Sequence, residues 1–179
     1  MPKFNDMRKK ITSNDTLVIT TQLVLPNDTN TLGNLFGGQL LAWMDNAAAI
    51  SAGRFCRRVV VTASVNNVSF EKPILLGDVV TIEAKVSRGF TSSMEIYIDV
   101  FIENHGTGKR TKTTEAIYSF VAIDQHGNPI EVPELVPETD LEKQRYNAAL
   151  RRKHLSLILA GKMKPEDASE LKALFFKED

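Results

Sequence analysis

The chain of 179 residues is long enough for one domain with its own hydrophobic core and an appended helix. Lysine plus arginine equals aspartate plus glutamate at 22 each, so no net charge favours binding to nucleic acid or to an acidic membrane, and any anion needs a local cluster of cations. The only cysteine, Cys56, excludes an internal disulfide and fits a reducing compartment.

The first 25 residues predict a flexible arm followed by a strand. Residues 1–13 are polar, show little periodicity and lack the apolar run of a signal peptide. No later segment reaches the ~18 consecutive apolar residues of a membrane span, so we expect a cytoplasmic protein with no membrane or nucleic-acid partner. From residue 16 an alternation typical of a β-strand begins, carried by Leu17, Ile19, Thr21, Leu23 and Leu25.

A loop and a long apolar helix come next. Pro26 ends the strand, and the loop up to Asn34 is rich in Asn, Asp, Thr and Gly, which favour turns. The helix is predicted to start at Gly37 or Gly38 and to end at Gly53, because glycine readily adopts the left-handed conformation of a helix end.

Four strands follow the helix. The segment RVVVTASVNNVSF (58–70) has so little polarity in its first half that we expect it to be central in a sheet. Two alternating segments, DVVTIEAKVSRGF (78–90) and SMEIYIDVFIEN (93–104), precede a turn, HGTGKR (105–110), and a last strand over 111–124. This order predicts an α+β domain over residues 14–137, with an antiparallel sheet of about five strands wrapped around one helix.

The C-terminal residues 138–179 predict a helical extension. The segment VPELVPET (132–139) is interrupted by prolines and cannot pair as a central strand. Thr139 and Glu142 form a capping box that opens a charged helix, and Gly161 interrupts it. Pro165 can begin a short amphipathic helix whose apolar stripe contains Ala168, Leu171, Leu174 and Phe175.

One carboxylate, Asp45, lies in the middle of the apolar helix. The residues predicted to share its face are Leu41, Ala42, Ala48, Ala49 and Ala52. An unpaired ionised carboxylate on a dry face costs roughly several kcal/mol unless it is hydrogen-bonded or its pKa rises, so a carboxylate in this place is often a functional group. The alternatives are solvation at the end of a groove and a bond to the backbone of a neighbouring strand.

The helix N-terminus is a second candidate feature. Gly37 and Gly38 place unhindered N–H groups where the helix has unpaired donors and a positive partial charge, and such donors can stabilise a carbonyl oxygen as it becomes an oxyanion. Asp45 lies two turns further on, roughly 10 Å along the axis. A site shared between two chains would solve the problem of this separation.

Four segments together resemble the cytosolic acyl-CoA hydrolases of the hot-dog fold, over about residues 16–155. The resemblance implies one hot-dog domain that pairs with a second copy, with active sites at the dimer interface and dimers assembled into a hexamer. It implies acyl-CoA as the substrate and no cofactor, since coenzyme A is part of the substrate. The segments are LPNDTNTLGNLFGGQLLAWMDNAAAISAGRFC, VVVTASVNNVSFEKPILLGDVV, TSSMEIYIDVF and VPELVPETDLEKQRY.

The resemblance also assigns catalytic roles. The essential carboxylate of the family falls on Asp45, its asparagine on Asn30 with Asn34 as second candidate, and its oxyanion-binding glycine on Gly38 or Gly37. Asp45 then acts either as a general base on water or as a nucleophile that forms a mixed anhydride. Phe36 stands where many relatives have histidine, and an apolar residue there fits binding of the acyl chain.

The phosphates of coenzyme A require cations and hydroxyl donors. Arginine suits phosphate because of its forked donors, but the alternative for each cation is a solvated surface charge. The resemblance favours the segment RGFTSSM (88–94) over the other positions. The candidates are Arg57, Arg58, Lys72, Arg88, Ser92 and Ser93.

Other chemistries find little support in the sequence. None of His105, His126 and His154 has a second ligand at metal-binding spacing, so we predict no metal, and Cys56 is predicted to be a small buried residue. No serine stands in a G-x-S-x-G context. The alternatives are a hydratase or dehydratase of the same fold, which usually needs a histidine near the helix, and a non-catalytic acyl-CoA sensor.

Overall fold

The computed structural model describes residues 8–66, 68–70, 72–103 and 107–172. His105, Leu174, Phe175 and the first part of the 105–110 turn therefore lie outside the described residues. The chain separates into two compact units, Met1–Val136 and Pro137–Asp179. The first contains β1 (Lys10–Thr12), β2 (Val18–Leu23), α1 (Gly37–Cys56), β3 (Val59–Asn66), β4 (Val79–Gly89), β5 (Ser93–Glu103), β6 (Arg110–Ile123) and β7 (Glu134–Val136).

A five-stranded antiparallel sheet packs against the long helix α1. Its strand order is β2-β4-β5-β6-β3. The two-residue alternation of β4 and β5 places one row of apolar side chains from each strand in the core, and all of them are fully buried: Val80, Ile82, Ala84, Val86, Met94, Ile96, Ile98 and Val100. The predicted α+β fold, a sheet of five strands around one helix, is confirmed.

The prediction that the segment after the helix is central is wrong, because β3 is an edge strand. Within the described residues it pairs only with β6. Most of its side chains are exposed, including Val59, Val61 and Val65. A continuous apolar run is typical of burial on both faces, but here the apolar side chains of an edge strand stay accessible in the single chain.

In the opposite edge strand, β2, and the two residues after it, the predicted apolar row does not face the core. Val18 and Val24 are buried, whereas Ile19, Leu23 and Leu25 of the predicted row are about half exposed. Both edges of the sheet therefore carry accessible apolar side chains.

The helix α1 ends later than predicted. It runs to Cys56, and the left-handed residue at its end is Arg57, with φ +54°, whose N–H donates to the carbonyl of Gly53 at 2.9 Å. Phe55 is 1% exposed. Burial of this ring outweighs the penalty of about 1 kcal/mol for glycine inside a helix, which explains why the chain continues past Gly53.

The predicted flexible arm is wrong for Lys10–Ser13. β1 pairs in parallel with β7, and Ser13 is buried, with its hydroxyl donating to the carbonyl of Val86 at 2.9 Å. A three-residue strand is too short to show periodicity, so the sequence contained no signal for it.

The second unit contains α2 (Asp140–Leu159) and α3 (Ser169–Lys172). The predicted capping box is confirmed, since the Thr139 hydroxyl accepts from the Glu142 N–H at 3.2 Å and the Glu142 carboxylate accepts from the Thr139 N–H at 3.1 Å. Pro165 opens a 3₁₀ turn, Pro165–Asp167, before α3 begins. None of the described helices is long and apolar enough to cross a membrane.

Candidate active site

The N-terminus of α1 presents unpaired backbone donors. Phe36 is the N-cap residue and forms no side-chain cap, and its carbonyl accepts the N–H groups of Gln39 and Leu40 at 2.9 and 3.1 Å. The N–H groups of Gly37 and Gly38 have no acceptor among the described residues. They point from the positive end of a 20-residue helix and are available to an oxygen atom of a ligand.

Two aromatic rings flank these glycines. A Cβ atom at Gly38 would lie 2.5 Å from Cε1 of Phe36, and one at Gly37 would lie 3.5 Å from Cζ of Phe70. Phe36 is 58% exposed and Phe70 54% exposed. Position 38 thus accepts only glycine while the Phe36 ring stays in place, and both rings offer apolar surface beside the free N–H groups.

A cleft of about 360 Å³ opens beside this helix end. It brings together four of the predicted site residues, Asn30, Asn34, Gly37 and Lys72, and its floor is apolar, with Leu40 and Ile74 among the buried residues. The remaining lining residues are Leu35, Phe70 and Pro73. The arrangement suits a ligand with a polar head and an apolar tail.

Asn30 organises the loop at the cleft. Its side-chain oxygen accepts from the N–H groups of Leu32 and Asn34 at 2.9 and 3.2 Å, and its own N–H donates to the carbonyl of Asn34 at 2.8 Å. These bonds fix the orientation of the side-chain amide, whose NH₂ group has no acceptor in the described part of the chain. Asn30 can therefore donate to a ligand, while Asn34 contributes mainly its backbone.

Asp45 lies two turns along α1 and is half-buried, so the predicted dry face is wrong in the single chain. Ala48 and Ala52 are buried, but Ala42 is exposed and Leu41 half-buried. The carboxylate is paired with a hydroxyl, because Thr62 Oγ1 donates to Asp45 Oδ1 at 2.8 Å. The face of α1 that carries Asp45 therefore lies at the boundary between the core and the accessible surface.

Two residues near Asp45 were not predicted from the sequence. Thr62 lies on β3 beside an irregularity between Thr62 and Ser64. Tyr118, 1% exposed on β6, donates its hydroxyl to the carbonyl of Leu41 at 3.2 Å. Burial, and after it the negative charge of Asp45, raises the pKa of Tyr118 to about 12. The phenol is therefore a neutral donor beside the acid at neutral pH.

The remaining predicted residues lie elsewhere in the chain. Asp45 is not among the lining residues of the first cleft. Arg57 and Arg58 line a second, wider cleft of about 930 Å³ with Asp124 and His126. Arg88, Ser92 and Ser93 flank the turn between β4 and β5, where the guanidinium of Arg88 lies 5.8 Å from the centre of the Phe90 ring.

Of the described residues, Cys56, His126 and His154 show no arrangement for nucleophilic or metal chemistry. Cys56 is buried, and burial raises the pKa of its thiol, as in a structural cysteine. Across the described ranges, no group of three or more His, Cys, Asp or Glu side chains could hold a metal ion.

Comparison with known proteins places this geometry in a family. Residues 32–109 match the thioesterase superfamily. An uncharacterized acyl-CoA thioester hydrolase of Bacillus subtilis, YkhA, is 44% identical over 135 residues, which cover 75% of this chain and 78% of the relative. The crystal structure of an apo-hexameric acyl-CoA thioesterase superposes with a TM-score of 0.82 and 39% identity, covering 85% of this chain and 97% of the other.

An acyl-CoA hydrolase from Staphylococcus aureus, solved with butyryl coenzyme A, coenzyme A and coenzyme A disulfide, gives a TM-score of 0.81 at 33% identity and covers 94% of this chain and all of the other. Further structures of that enzyme carry alanine in place of an asparagine, of an aspartate 15 positions later, and of a threonine 17 positions after the aspartate. By these similarities in sequence and fold, the chain belongs to the thioesterase superfamily and has its hot-dog fold.

Proposed function

We propose that the protein hydrolyses acyl-CoA at a site built from two copies of the chain. Asp45 of one copy would act with Asn30 and the Gly37–Gly38 N–H groups of the other. The observation that carries this proposal is the hydrogen bond between Thr62 and Asp45, which holds the carboxylate of the apolar helix in a defined orientation.

The spacing of the residues supports the same set. Asn30 and Asp45 are 15 positions apart, and Asp45 and Thr62 are 17 positions apart. The asparagine, aspartate and threonine replaced in the Staphylococcus aureus hydrolase have the same two intervals. Asn30 is therefore the better candidate for the catalytic asparagine than Asn34.

The chemistry follows from the donors and acceptors. Thr62 occupies one carboxylate oxygen of Asp45, and the second oxygen can remove a proton from a water molecule as it attacks the thioester carbonyl. The oxyanion that forms accepts from the N–H of Gly38 or Gly37, and the Asn30 amide orients the water or the carbonyl. Collapse of the tetrahedral intermediate releases the fatty acid and coenzyme A. Direct attack by Asp45, through a mixed anhydride, uses the same residues.

The requirement for two copies rests on distance and on an open sheet edge. On a straight helix, Asp45 is roughly 10 Å from Gly38, too far for both to reach one carbonyl. β3 is an edge strand with exposed valines, and an apolar edge of this kind is normally covered. We assign this edge to a second copy, with the dimer as the smallest active unit and a trimer of dimers as the assembly.

The other predicted site residues are assigned to the substrate. Phe36 would contact the acyl chain, and the phosphates of coenzyme A would contact Lys72, Arg57, Arg88, Ser92 and Ser93. Residues 14–137 would form the thioesterase domain and 138–179 its extension, and the division of the chain between Val136 and Pro137 supports the second boundary. The lone cysteine supports a cytoplasmic location.

The proposal is tested by release of free thiol from a panel of acyl-CoA substrates of increasing chain length. We expect the wild-type protein to release thiol and Asp45→Asn to be slower by about 100-fold or more, with an unchanged melting temperature, because the base is lost and the shape is kept. An Asp45→Asn protein with near-wild-type turnover would contradict the role of the carboxylate.

A further inference from the structure

Arg8, in the N-terminal segment, contacts the turn between β4 and β5. Neither the proposed catalytic groups nor the family resemblance assigns a role to this contact. One guanidinium nitrogen of Arg8 donates to the carbonyl of Phe90 at 3.1 Å, and the other pairs with the carboxylate of Glu131. The next residue, Lys9, accepts at its carbonyl from the N–H of Glu134 at 3.0 Å. Pairing of β1 with β7 then holds the segment in place, so Arg8 is fixed at both its backbone and its side chain.

Each carbonyl group of the turn Phe90–Ser93 accepts a hydrogen bond. The carbonyls of Thr91 and Ser92 accept from backbone N–H groups of Val132 and Ala122 at 3.0 and 2.9 Å, and that of Ser93 accepts from the N–H of Phe90 at 2.8 Å. The carbonyl of Phe90 accepts from a side chain, that of Arg8. Three of these four bonds are therefore built into the backbone, and the bond from Arg8 is the one that a substitution removes.

We propose that Arg8 is a positioning residue for the nucleotide end of the substrate. This inference rests on the proposed function, in which Arg88, Ser92 and Ser93 bind the phosphates of coenzyme A. A turn that is already ordered loses less conformational entropy when the phosphates bind, so the bond to Phe90 lowers the KM for substrates that carry the nucleotide. The chemical step at Asp45 does not depend on it.

The test compares two substrates with the same acyl group. One is the acyl-CoA, and the other is the acyl-pantetheine, which has the thioester but lacks the nucleotide and its phosphates. For Arg8→Ala we expect the KM for acyl-CoA to rise about five- to tenfold, the effect of losing one hydrogen bond from a charged donor. We expect kcat to stay within about twofold and the KM for acyl-pantetheine to stay unchanged.

Arg110→Ala is the matched control. Arg110 is also a partly exposed arginine with an ion pair, to Glu83 at 2.6 Å, and it lies over the Phe101 ring at the other end of β5. This control should change neither KM. A second variant, Glu131→Gln, removes the negative charge of the group that orients Arg8 and keeps its shape, and it should raise the KM for acyl-CoA alone, by less than Arg8→Ala does.

An equal rise in both KM values, a loss of kcat in Arg8→Ala, or an unchanged KM in both Arg8→Ala and Glu131→Gln would overturn the role of Arg8. If Arg8→Ala does not fold, Glu131→Gln decides the question by the same ratio of KM values. The activity of the wild-type protein on acyl-CoA is measured in the same assay before any variant is compared. A wild-type protein without this activity would refute the proposed function itself.

Discussion

Asp45 of α1 and Thr62 of β3 are 17 positions apart in sequence, and their side chains are joined by a hydrogen bond. Thr62 donates to Oδ1 of Asp45, and Oδ2 has no hydrogen-bond donor among the residues that the structure describes. A carboxylate held at one oxygen has a fixed orientation and keeps the other oxygen for a proton. This is the arrangement expected of a general base in which the position of the base is set by a neighbouring residue.

The hydroxyl of Thr62 can be removed with little change in shape. We expect Thr62→Val to lower kcat about tenfold, because the carboxylate loses the hydrogen bond that orients it. Thr62→Ser keeps the hydroxyl and should retain most of the activity. Steady-state thiol release from both variants measures the difference, and equal activity of the serine and valine variants would show that the hydrogen bond has no role.

Tyr118 is expected to make the free energy of unfolding depend on pH in the alkaline range. Burial and the charge of Asp45 raise the pKa of Tyr118 to about 12, whereas an unfolded tyrosine titrates near pH 10. From about pH 10 to pH 12 the unfolded chain binds fewer protons than the folded chain, so the free energy of unfolding falls as pH rises, by up to about 3 kcal/mol from this residue.

Tyr118→Phe should remove that part of the dependence. At neutral pH the variant loses about 1 kcal/mol with the hydrogen bond to Leu41, but its free energy of unfolding should decline less steeply above about pH 10. Urea unfolding at a series of pH values measures both effects. Parallel curves for the two proteins would mean that Tyr118 titrates normally in the folded state.

Only part of this site could be predicted from the sequence. An acid in an apolar helix and two glycines at its start are local patterns, so Asp45, Gly37 and Gly38 could be singled out. Thr62 and Tyr118 could not, since their relation to Asp45 arises only when β3 and β6 pack against α1. A threonine directly after three valines of β3 was the only signal.

At the scale of elements, the five strands of the main sheet were predictable, and their places in that sheet were not. The alternation of β4 and β5 identifies their buried faces directly, because these strands are central and packed on one side by α1. β3 has the composition of a central strand but lies at an edge, and no local pattern distinguishes burial inside one chain from burial against a second copy. Likewise Gly53 suggested a helix end that the burial of Phe55 prevents.

The start of α2 offers a test of an element that the sequence did predict. Thr139→Ala removes the hydroxyl that accepts from the Glu142 N–H and should destabilise the first turn by about 1 kcal/mol. Amide hydrogen exchange within residues 140–143 should become about fivefold faster, whereas Thr139→Ser should behave as the wild type. Unchanged exchange in the alanine variant would show that the cap does not hold this helix end.

At the scale of the whole molecule, one chain carries every proposed group but separates them. The first cleft contains Asn30, Gly37 and Lys72, whereas Asp45 lies further along the helix beside Thr62 of β3, and Arg57 lines the second cleft. Net neutrality removes long-range attraction of the substrate, so binding depends on these local groups. Association of two copies would bring the groups together and cover the β3 edge in the same step.

The most direct test of the shared site is complementation between two inactive chains. Asp45→Ala and Asn30→Ala are produced together with different affinity tags, and complexes that carry both tags are assayed for thiol release. If each site takes Asp45 from one chain and Asn30 from the other, a mixed dimer contains one intact site of two. Selected complexes should then regain about half of the wild-type activity if they are dimers, or about a quarter if they are hexamers of randomly paired chains, while each variant alone stays about 100-fold or more below the wild type. Mixed complexes no more active than the separate variants would contradict a site shared between two chains.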